Sequence, residues 1–294
     1  DEASDRERFE SFASRIGIQM PTGATGTSAD DVRNAVRKIG FPVLIRPSYV
    51  LGGRGMEILA NEKQLEAYLS EAYLAPDKPL LVDEYLGHAI ELDVDAASDG
   101  KDVLIGAVME HLEEAGIHSG DSTCFIPTQT INESMLAKVR EQTRAIGIGL
   151  KIKGCYNIQF AIQNNNIFLL EVNPRSSRTV PFVAKATGNP IVKIALSAAM
   201  GKPLNKDKFK IGKSNCISIK EPVFPFKRFP NVDTILGPEM KSTGEVIAID
   251  KSFESAFIKC QLASSNPLPR KGSLFVSVKD SDKPKILPII RSFQ

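Results

Sequence analysis

The stretch IFLLEVNPRSSR, from Ile167 to Arg178, sets an apolar run against Glu171, Asn173 and two arginines. Its first seven residues predict a β-strand because apolar side chains dominate them. Side chains alternate faces along a strand, so Glu171 and Asn173 share one face while Leu170 and Val172 take the other. Just upstream, Cys155 to Gln163 predicts a partner strand, with Asn164, Asn165 and Asn166 as the connecting turn. Asn157 and Gln159 share a face there, and cross-strand pairing brings Gln159 beside Glu171. Carboxylate and amide oxygens in such an array suit Mg2+ or Mn2+, which keeps waters and substrate phosphates as its remaining ligands. Past the strand end, Arg175 and Arg178 supply fixed positive charge for an anionic substrate. On spacing alone the alternative stands beside this: a polar strand terminus followed by surface arginines.

Two further stretches carry chemistry. In RPSYVLGGRG, Arg46 follows a short apolar strand from Phe41 to Ile45, and Gly52, Gly53 and Gly55 let backbone N–H groups approach phosphates. Arg46 and Arg54 add charge, but the loop is neither a Walker A loop nor a dinucleotide fingerprint. A plain hairpin returning through Met56 to Leu59 is the other reading. GIHSGDS, Gly116 to Ser122, is small and polar enough to wrap a ribose or phosphate, and His118 could donate to a phosphoryl oxygen. Glu91, Asp93 and Asp95 share one strand face and read as a solvated face. His88 and His111 lack companion ligands and read as structural or surface residues. Nothing marks a covalent nucleophile.

Around these stretches the periodicity predicts helices over residues 3–16, 30–40, 62–74, 132–148 and 190–200. Strands are predicted over 80–86, 90–97 and 103–110, the last two joined by Asp99 and Gly100, so the sheet is antiparallel. A lysine-rich polar run over 205–215 marks a soft boundary. Strands over 216–219 and 244–249 and a helix over 253–262 read as an appended module, 264–272 as a linker, and 273–294 as one strand and one helix. The 294 residues carry 37 Lys plus Arg against 35 Asp plus Glu, a net charge of +2. That near balance, without a basic stripe, argues against nucleic acid and membrane surfaces as partners. The four cysteines form no CxxC and read as small core side chains in a reducing, cytoplasmic setting. The abrupt ends at Asp1 and Gln294 read as a piece of a longer protein.

Taken together, RPSYVLGGRGMEI, LVDEYLGHAIELDVDA, MEHLEEAGIHSGDS, NIQFAI and EVNPRSSRTVPFVAKATG resemble, in order and spacing, the ATP-grasp core of the carbamoyl phosphate synthetase large subunit. The Glu-x-Asn-Pro-Arg element recurs in other ATP-grasp enzymes, whereas HSGDS combined with NPRSSRTVPFVAKATG is far more specific. The resemblance implies an α+β ATP-grasp fold, two α+β subdomains sandwiching ATP, with the core at 1–204, its lid at about 41–113, an extension at 205–270 and the start of an effector-binding, methylglyoxal-synthase-like domain at 271–294. It implies that Arg6 and Arg46 contact ATP phosphates, that Gly52 and Gly53 cover them, and that the strand through Glu84 and Leu86 holds adenine, Leu86 through its backbone. Glu91 would bind the ribose, and Gly116, Ile117, His118 and Ser119 would line the nucleotide. Gln159, Glu171 and Asn173 would hold two Mg2+ or Mn2+ ions, Glu171 bridging them, with K+ as a further ion; Arg175 and Arg178 would bind the acceptor.

The wording SYVLGGRGMEI and NPRSSRTVPFV resembles the second, carbamate-phosphorylating half of that subunit rather than the bicarbonate-phosphorylating half. The expected reaction is carbamate plus ATP giving carbamoyl phosphate plus ADP, serving pyrimidine or arginine biosynthesis. The other synthetase half and a glutaminase small subunit are the implied partners, and a homo-oligomer is compatible. One rival is an ATP-grasp ligase acting on bicarbonate or another carboxylate. A rival of another class is an idle fragment that only binds nucleotide.

Overall fold

The computed structural model describes residues 6–48, 55–72, 79–204, 215–229, 231–264, 269 and 271–293. Two antiparallel sheets organise them. The smaller has the order β1-β4-β2-β3, built from β1 (Gly23–Gly26), β2 (Val43–Pro47), β3 (Glu57–Leu59) and β4 (Leu80–Glu84). Val43 and Ile45 alternate onto its buried face and meet Val32, Val36, Leu65 and Leu69 from the helices α2 (Ala29–Ile39) and α3 (Glu62–Glu71). The start of α2 is fixed by a reciprocal cap: the Ser28 hydroxyl accepts from Asp31 N–H, and the Asp31 carboxylate accepts from Ser28 N–H.

The larger sheet has the order β11-β10-β7-β6-β5-β8-β9. Its strands are β5 (Ile90–Asp99), β6 (Val103–Glu114), β7 (Cys124–Ile126), β8 (Lys153–Gln163), β9 (Asn166–Asn173), β10 (Ile217–Val223) and β11 (Gly244–Asp250). The even-numbered residues Leu92, Val94, Ile158 and Phe160 point to one face, where α1 (Arg6–Arg15) and α4 (Glu133–Gly149) cover them with Phe9, Phe12, Val139 and Ile146. On the opposite face, α5 (Val180–Thr187) and α6 (Ile191–Ala199) cover Ala97 and Leu104. That second face also carries Glu91, Asp93, Asp95, Asn157 and Gln159. The predicted Asn turn is present, with Asn164 and Asn165 at φ 51° and 62°, conformations that asparagine tolerates well.

The structure departs from the sequence reading at several points. The expected lid at 41–113 straddles both sheets: β2, β3 and β4 belong to the smaller one, whereas β5 and β6 are central strands of the larger. The region read as an appended module instead continues the larger sheet. β10 pairs with β7, placing Ser218 opposite Ile126 and Lys220 opposite Cys124, and α7 (Phe253–Ala263) closes over it with Ala256 and Cys260. Among the described residues of 273–294 there is a helix, α8 (Lys283–Arg291), but no strand, since no sheet edge pairs with it. Strands β1 and β7, at four and three residues, were too short to carry a periodic signal. The four cysteines are thiols rather than disulfides, with Cys124 and Cys260 buried. No helix among the described residues is long and apolar enough to cross a membrane.

Candidate active site

The β8–β9 hairpin pairs as its side chains require, with Gln159 opposite Glu171 and Asn157 opposite Asn173. A bulge follows, since Phe160 pairs with Leu169, and it leaves Leu170 as the extra residue. This changes the expected alternation. Val172 joins the core with Ile158, but Leu170 packs with Leu86, Ala89, Ala115, Ala161 and Phe168, on the same face as Gln159. An apolar floor therefore runs alongside the side-chain oxygens of Gln159 and Glu171, and Leu86, placed just past β4, is buried in it. Glu84 ends β4 and is tied to Thr22, whose backbone N–H approaches the Glu84 carboxylate at 3.3 Å while Glu84 N–H reaches the Thr22 carbonyl at 2.7 Å.

Gln159 donates its amide N–H to Ser119 Oγ at 2.9 Å, which leaves its carbonyl oxygen available as a ligand. Glu171 is exposed and Asn173 half-buried. The three side chains offer carboxylate and amide oxygens only, the donor set of a hard divalent cation, and so they fit Mg2+ or Mn2+. Asn157 instead braces the neighbouring acids, its Nδ2 donating to Asp93 Oδ1 at 3.1 Å and Asp95 Oδ1 at 3.0 Å.

The expectation of a solvated face at Glu91, Asp93 and Asp95 is overturned, because all three are buried on a central strand. Burial pushes the Glu91 carboxyl up to about 7, reinforced by Asp93 and opposed by His111 and a bond from Gly116 N–H. For Asp93 the same burial is outweighed by its hydrogen bond to His111 and by Asn157 and Lys220, and its pKa falls below the usual range. Asp95 rises to about 6 through burial, against hydrogen bonds from Thr179, Ser177 and Asn157. His111, expected to lack companions, is buried with Nε2 3.1 Å from Asp93 and Nδ1 3.9 Å from Glu91. Burial works against its charge, but Cys124, Asp93 and Glu91 prevail and raise its pKa well above the ordinary value. Asp93, His111 and Cys124 also bring ligand atoms within 4.8 Å of one another. His88 is exposed and paired with Glu114 at 2.9 Å.

The Gly116 to Ser122 segment is shaped from several sides. Gly116 has φ 101°, and a Cβ there would lie 2.7 Å from the Tyr85 ring, whose hydroxyl donates to the Ala115 carbonyl at 3.0 Å. Ile117 is half-buried next to it. His118 Nδ1 accepts from Gly120 N–H at 3.0 Å; burial, aided by Arg178, lowers its pKa against Asp121, Glu171 and Asp93. A neutral imidazole that accepts at Nδ1 carries its proton on Nε2. The buried Lys220 donates to the Ser122 carbonyl at 2.6 Å and to that of Ser119 at 3.4 Å. Asp121 accepts from Lys241 N–H and Ser242 N–H at 2.7 and 2.8 Å, and His118 N–H reaches the Gly237 carbonyl at 2.9 Å. These holds from beyond residue 216 had no sequence signal, because each joins positions about a hundred residues apart.

Arg175 and Arg178 are both exposed on the loop after β9. Arg175 donates to the Ser176 carbonyl at 3.1 Å, while Arg178 lies against Met240 Sδ beside a cleft of about 570 Å³ lined by Gly120, Ser242 and Glu245. Arg6 and Arg46 meet on the smaller sheet, where buried Asp83 takes Arg6 at 2.6 Å and Arg46 at 3.4 Å. Burial raises the Asp83 pKa even so. The structure thus gathers Glu91, His118, Ser119, Gln159 and Glu171 on one face and Arg6 with Arg46 on another sheet. Gly52 and Gly53, like Arg54, lie outside the described residues. Asp83, Asp93, Asp95, Lys220, Ser177 and Thr179 were missed as contributors; for Asp93 and Asp95 the signal was present in their shared face with Glu91.

The family model for the carbamoyl-phosphate synthase L chain, ATP binding domain, matches residues 5–207. The chain is 49% identical over its full length to the carbamoyl phosphate synthase large chain, C-terminal section, of Aquifex aeolicus, of which it spans 58%. It is 51% identical over 99% of its length to the carbamoyl phosphate synthase large chain of Methanoregula boonei, spanning 28% of that protein. Among solved structures, biotin carboxylase from Campylobacter jejuni superposes with a TM-score of 0.71 at 18% identity, covering 91% of this chain and 67% of that one. N5-carboxyaminoimidazole ribonucleotide synthetase from Thermus thermophilus gives 0.68 at 16% identity, covering 93% and 74%. At such identities the likeness speaks for the fold alone, and that fold is the α+β ATP-grasp architecture.

Proposed function

This chain belongs to the family of the carbamoyl-phosphate synthase L chain, ATP binding domain, and from that membership we propose that it transfers the γ-phosphoryl group of ATP to carbamate, yielding carbamoyl phosphate and ADP. The observation that carries the reading is one face of the larger sheet, where Gln159 lies opposite Glu171 and within 2.9 Å of Ser119, with His118 and the exposed Arg178 beside it. In this proposal Gln159, Glu171 and Asn173 would hold Mg2+ or Mn2+, which would neutralise charge on the phosphates, with K+ as the further ion of the set. Glu91 binds the ribose, and the apolar floor around Leu86 and Leu170 takes the adenine. Arg6 and Arg46 bind phosphates, and Gly116 to Ser119 line the nucleotide. His118 donates from Nε2 to a phosphoryl oxygen.

A carbamate oxygen forms the new bond to phosphorus as the bond to the ADP oxygen breaks. The acceptor is already an anion, so no general base is required, and the residues act by positioning and charge. Arg175 and Arg178 orient its carboxylate. Because the chain spans 58% and 28% of the relatives it matches, the other synthetase half and a glutaminase subunit are proposed as partners, working in the cytoplasm.

ADP release measured with carbamate and, separately, with bicarbonate tests the reading. Carbamate-dependent release is expected, and Glu171→Gln is expected to reduce it at least 100-fold with an unchanged circular-dichroism spectrum. Turnover with bicarbonate alone, or a near-normal Glu171→Gln variant, would refute it.

A further inference from the structure

We propose that Asp95 is a positioning residue for the phosphoryl acceptor: from the middle of the larger sheet it clasps the hydroxyls of Ser177 and Thr179 and thereby aims Arg178, which lies between them. The inference rests on the assignment of Arg178 to the acceptor given above.

Asp95 is fully buried, and its carboxylate accepts from Ser177 Oγ at 2.7 Å, Thr179 Oγ1 at 2.6 Å and Asn157 Nδ2 at 3.0 Å. Among the described residues its partners are these neutral donors, with no cation beside them. A buried carboxylate held only by neutral donors is costly to desolvate, and a well-packed apolar side chain would serve stability as well or better. What the carboxylate adds is direction. With the side chains of residues 177 and 179 both drawn inward, the residue between them leaves the loop outward, and Arg178 is exposed beside Gly120, Met240 and the cleft of about 570 Å³.

The start of α5 gives an independent indication. Thr179 is the N-cap of that helix, yet its side chain makes no capping bond. A threonine there ordinarily accepts from a backbone N–H in the first turn. Here its hydroxyl is turned to Asp95, and the unusual use of a cap residue marks the clasp as a feature of the loop rather than of the helix. Asn157 extends it: the same Nδ2 that reaches Asp95 reaches Asp93, and Asn157 precedes the ligand Gln159 by two residues on β8. The arginine loop and the ligand strand are thus referred to one buried carboxylate.

The test follows the reverse reaction, ATP formation from MgADP and carbamoyl phosphate, in the full chain, with carbamoyl phosphate binding measured by calorimetry. Thr179→Val keeps the shape and removes the hydroxyl; it is expected to lower kcat/KM for carbamoyl phosphate at least tenfold while KM for MgADP changes less than threefold. Thr179→Ser is expected to restore the parameter to within threefold of wild type. Asp95→Asn, which leaves one acceptor oxygen where two are used, is expected to follow Thr179→Val. A Thr179→Val chain within twofold of wild type for carbamoyl phosphate, or one that loses both substrates equally, would overturn the clasp while leaving the carbamate assignment intact. A wild-type chain that neither turns over nor binds carbamoyl phosphate overturns both.

Discussion

Burial pushes the carboxyl of Glu91 up to about 7, so modest changes of pH near neutrality change its charge. Its raised pKa has a definite sign for stability. In the unfolded chain the group ionises near 4.5, so between about pH 4.5 and 7 the folded state binds the extra proton, and stability falls as pH rises through that window. At about 1.4 kcal/mol per unit the loss between pH 5 and pH 8 is on the order of 2–3 kcal/mol. The neighbours that set this are His111, Asp93, the Gly116 N–H and Glu171. Glu91→Gln cannot ionise and is expected to flatten that part of the profile, so the difference in melting temperature between variant and wild type should shift in favour of the variant from pH 5 to pH 8. Parallel profiles for the two proteins would show that burial of Glu91 is relieved in solution. If Glu91 has the proposed place at the ribose, the same substitution is expected to weaken ATP binding, read as a rise in KM, since a carboxylate is a better acceptor for two hydroxyls than an amide oxygen.

Strand β10 shows what an element can contribute without touching substrate. It carries Lys220 into the buried layer, where the ammonium group bonds the carbonyls of Ser122 and Ser119 and so braces the turn that presents His118. Lys220→Met is expected to leave β10 paired through its backbone with β7 and β11, yet to raise KM for ATP at least tenfold, the cost of one charge-assisted bond being roughly 1.5–3 kcal/mol. Lys220→Arg, too large for the site, is not expected to restore it; an unchanged KM in Lys220→Met would mean that the turn holds itself. The sequence made elements with sustained periodicity legible, such as α4 with Val139, Thr143 and Ile146 inward and the β8–β9 hairpin with Gln159 opposite Glu171. Less visible were features that exist only through long-range pairing: the three-residue β7, the bulge that turns Leu170 toward the site, and the burial of Asp93 and Asp95. A row of acids reads as solvated until the residues that answer it, here His111, Asn157, Ser177 and Thr179, are placed beside it. The resemblance raised Glu91 and Gly116 to Ser119 above what spacing alone supports, but it did not point to Asp83 as the carboxylate shared by Arg6 and Arg46.

The candidate site leans on some segments of the chain and not on others. β7 meets β6 at only two register positions, Glu110 with Phe125 and His111 with Cys124, and gains three more from β10. Phe125 is buried by Ile219, Ala248, Ala256 and Cys260, all from β10, β11 and α7. The region beyond residue 216 is therefore part of the sheet that carries the site. The last segment differs: Phe275, Leu287, Ile289 and Phe293 are exposed, Phe275 at 90%. These facts separate two truncations. A chain ending at Ser264 is expected to keep its melting temperature within about 2 °C and its KM for ATP, because it loses no buried side chain of the larger sheet. A chain ending at Leu204 strips the cover from Phe125 and the brace from the Ser119–Ser122 turn. Exposing several buried apolar side chains at about 1.5–3 kcal/mol each, with roughly 2–4 °C lost per kcal/mol at this size, predicts a fall of more than 10 °C or outright aggregation. Differential scanning calorimetry on the two chains decides the matter: equal melting temperatures would mean that β10 to α7 form an independent unit, and the holds on His118 and Asp121 would then be incidental to the site.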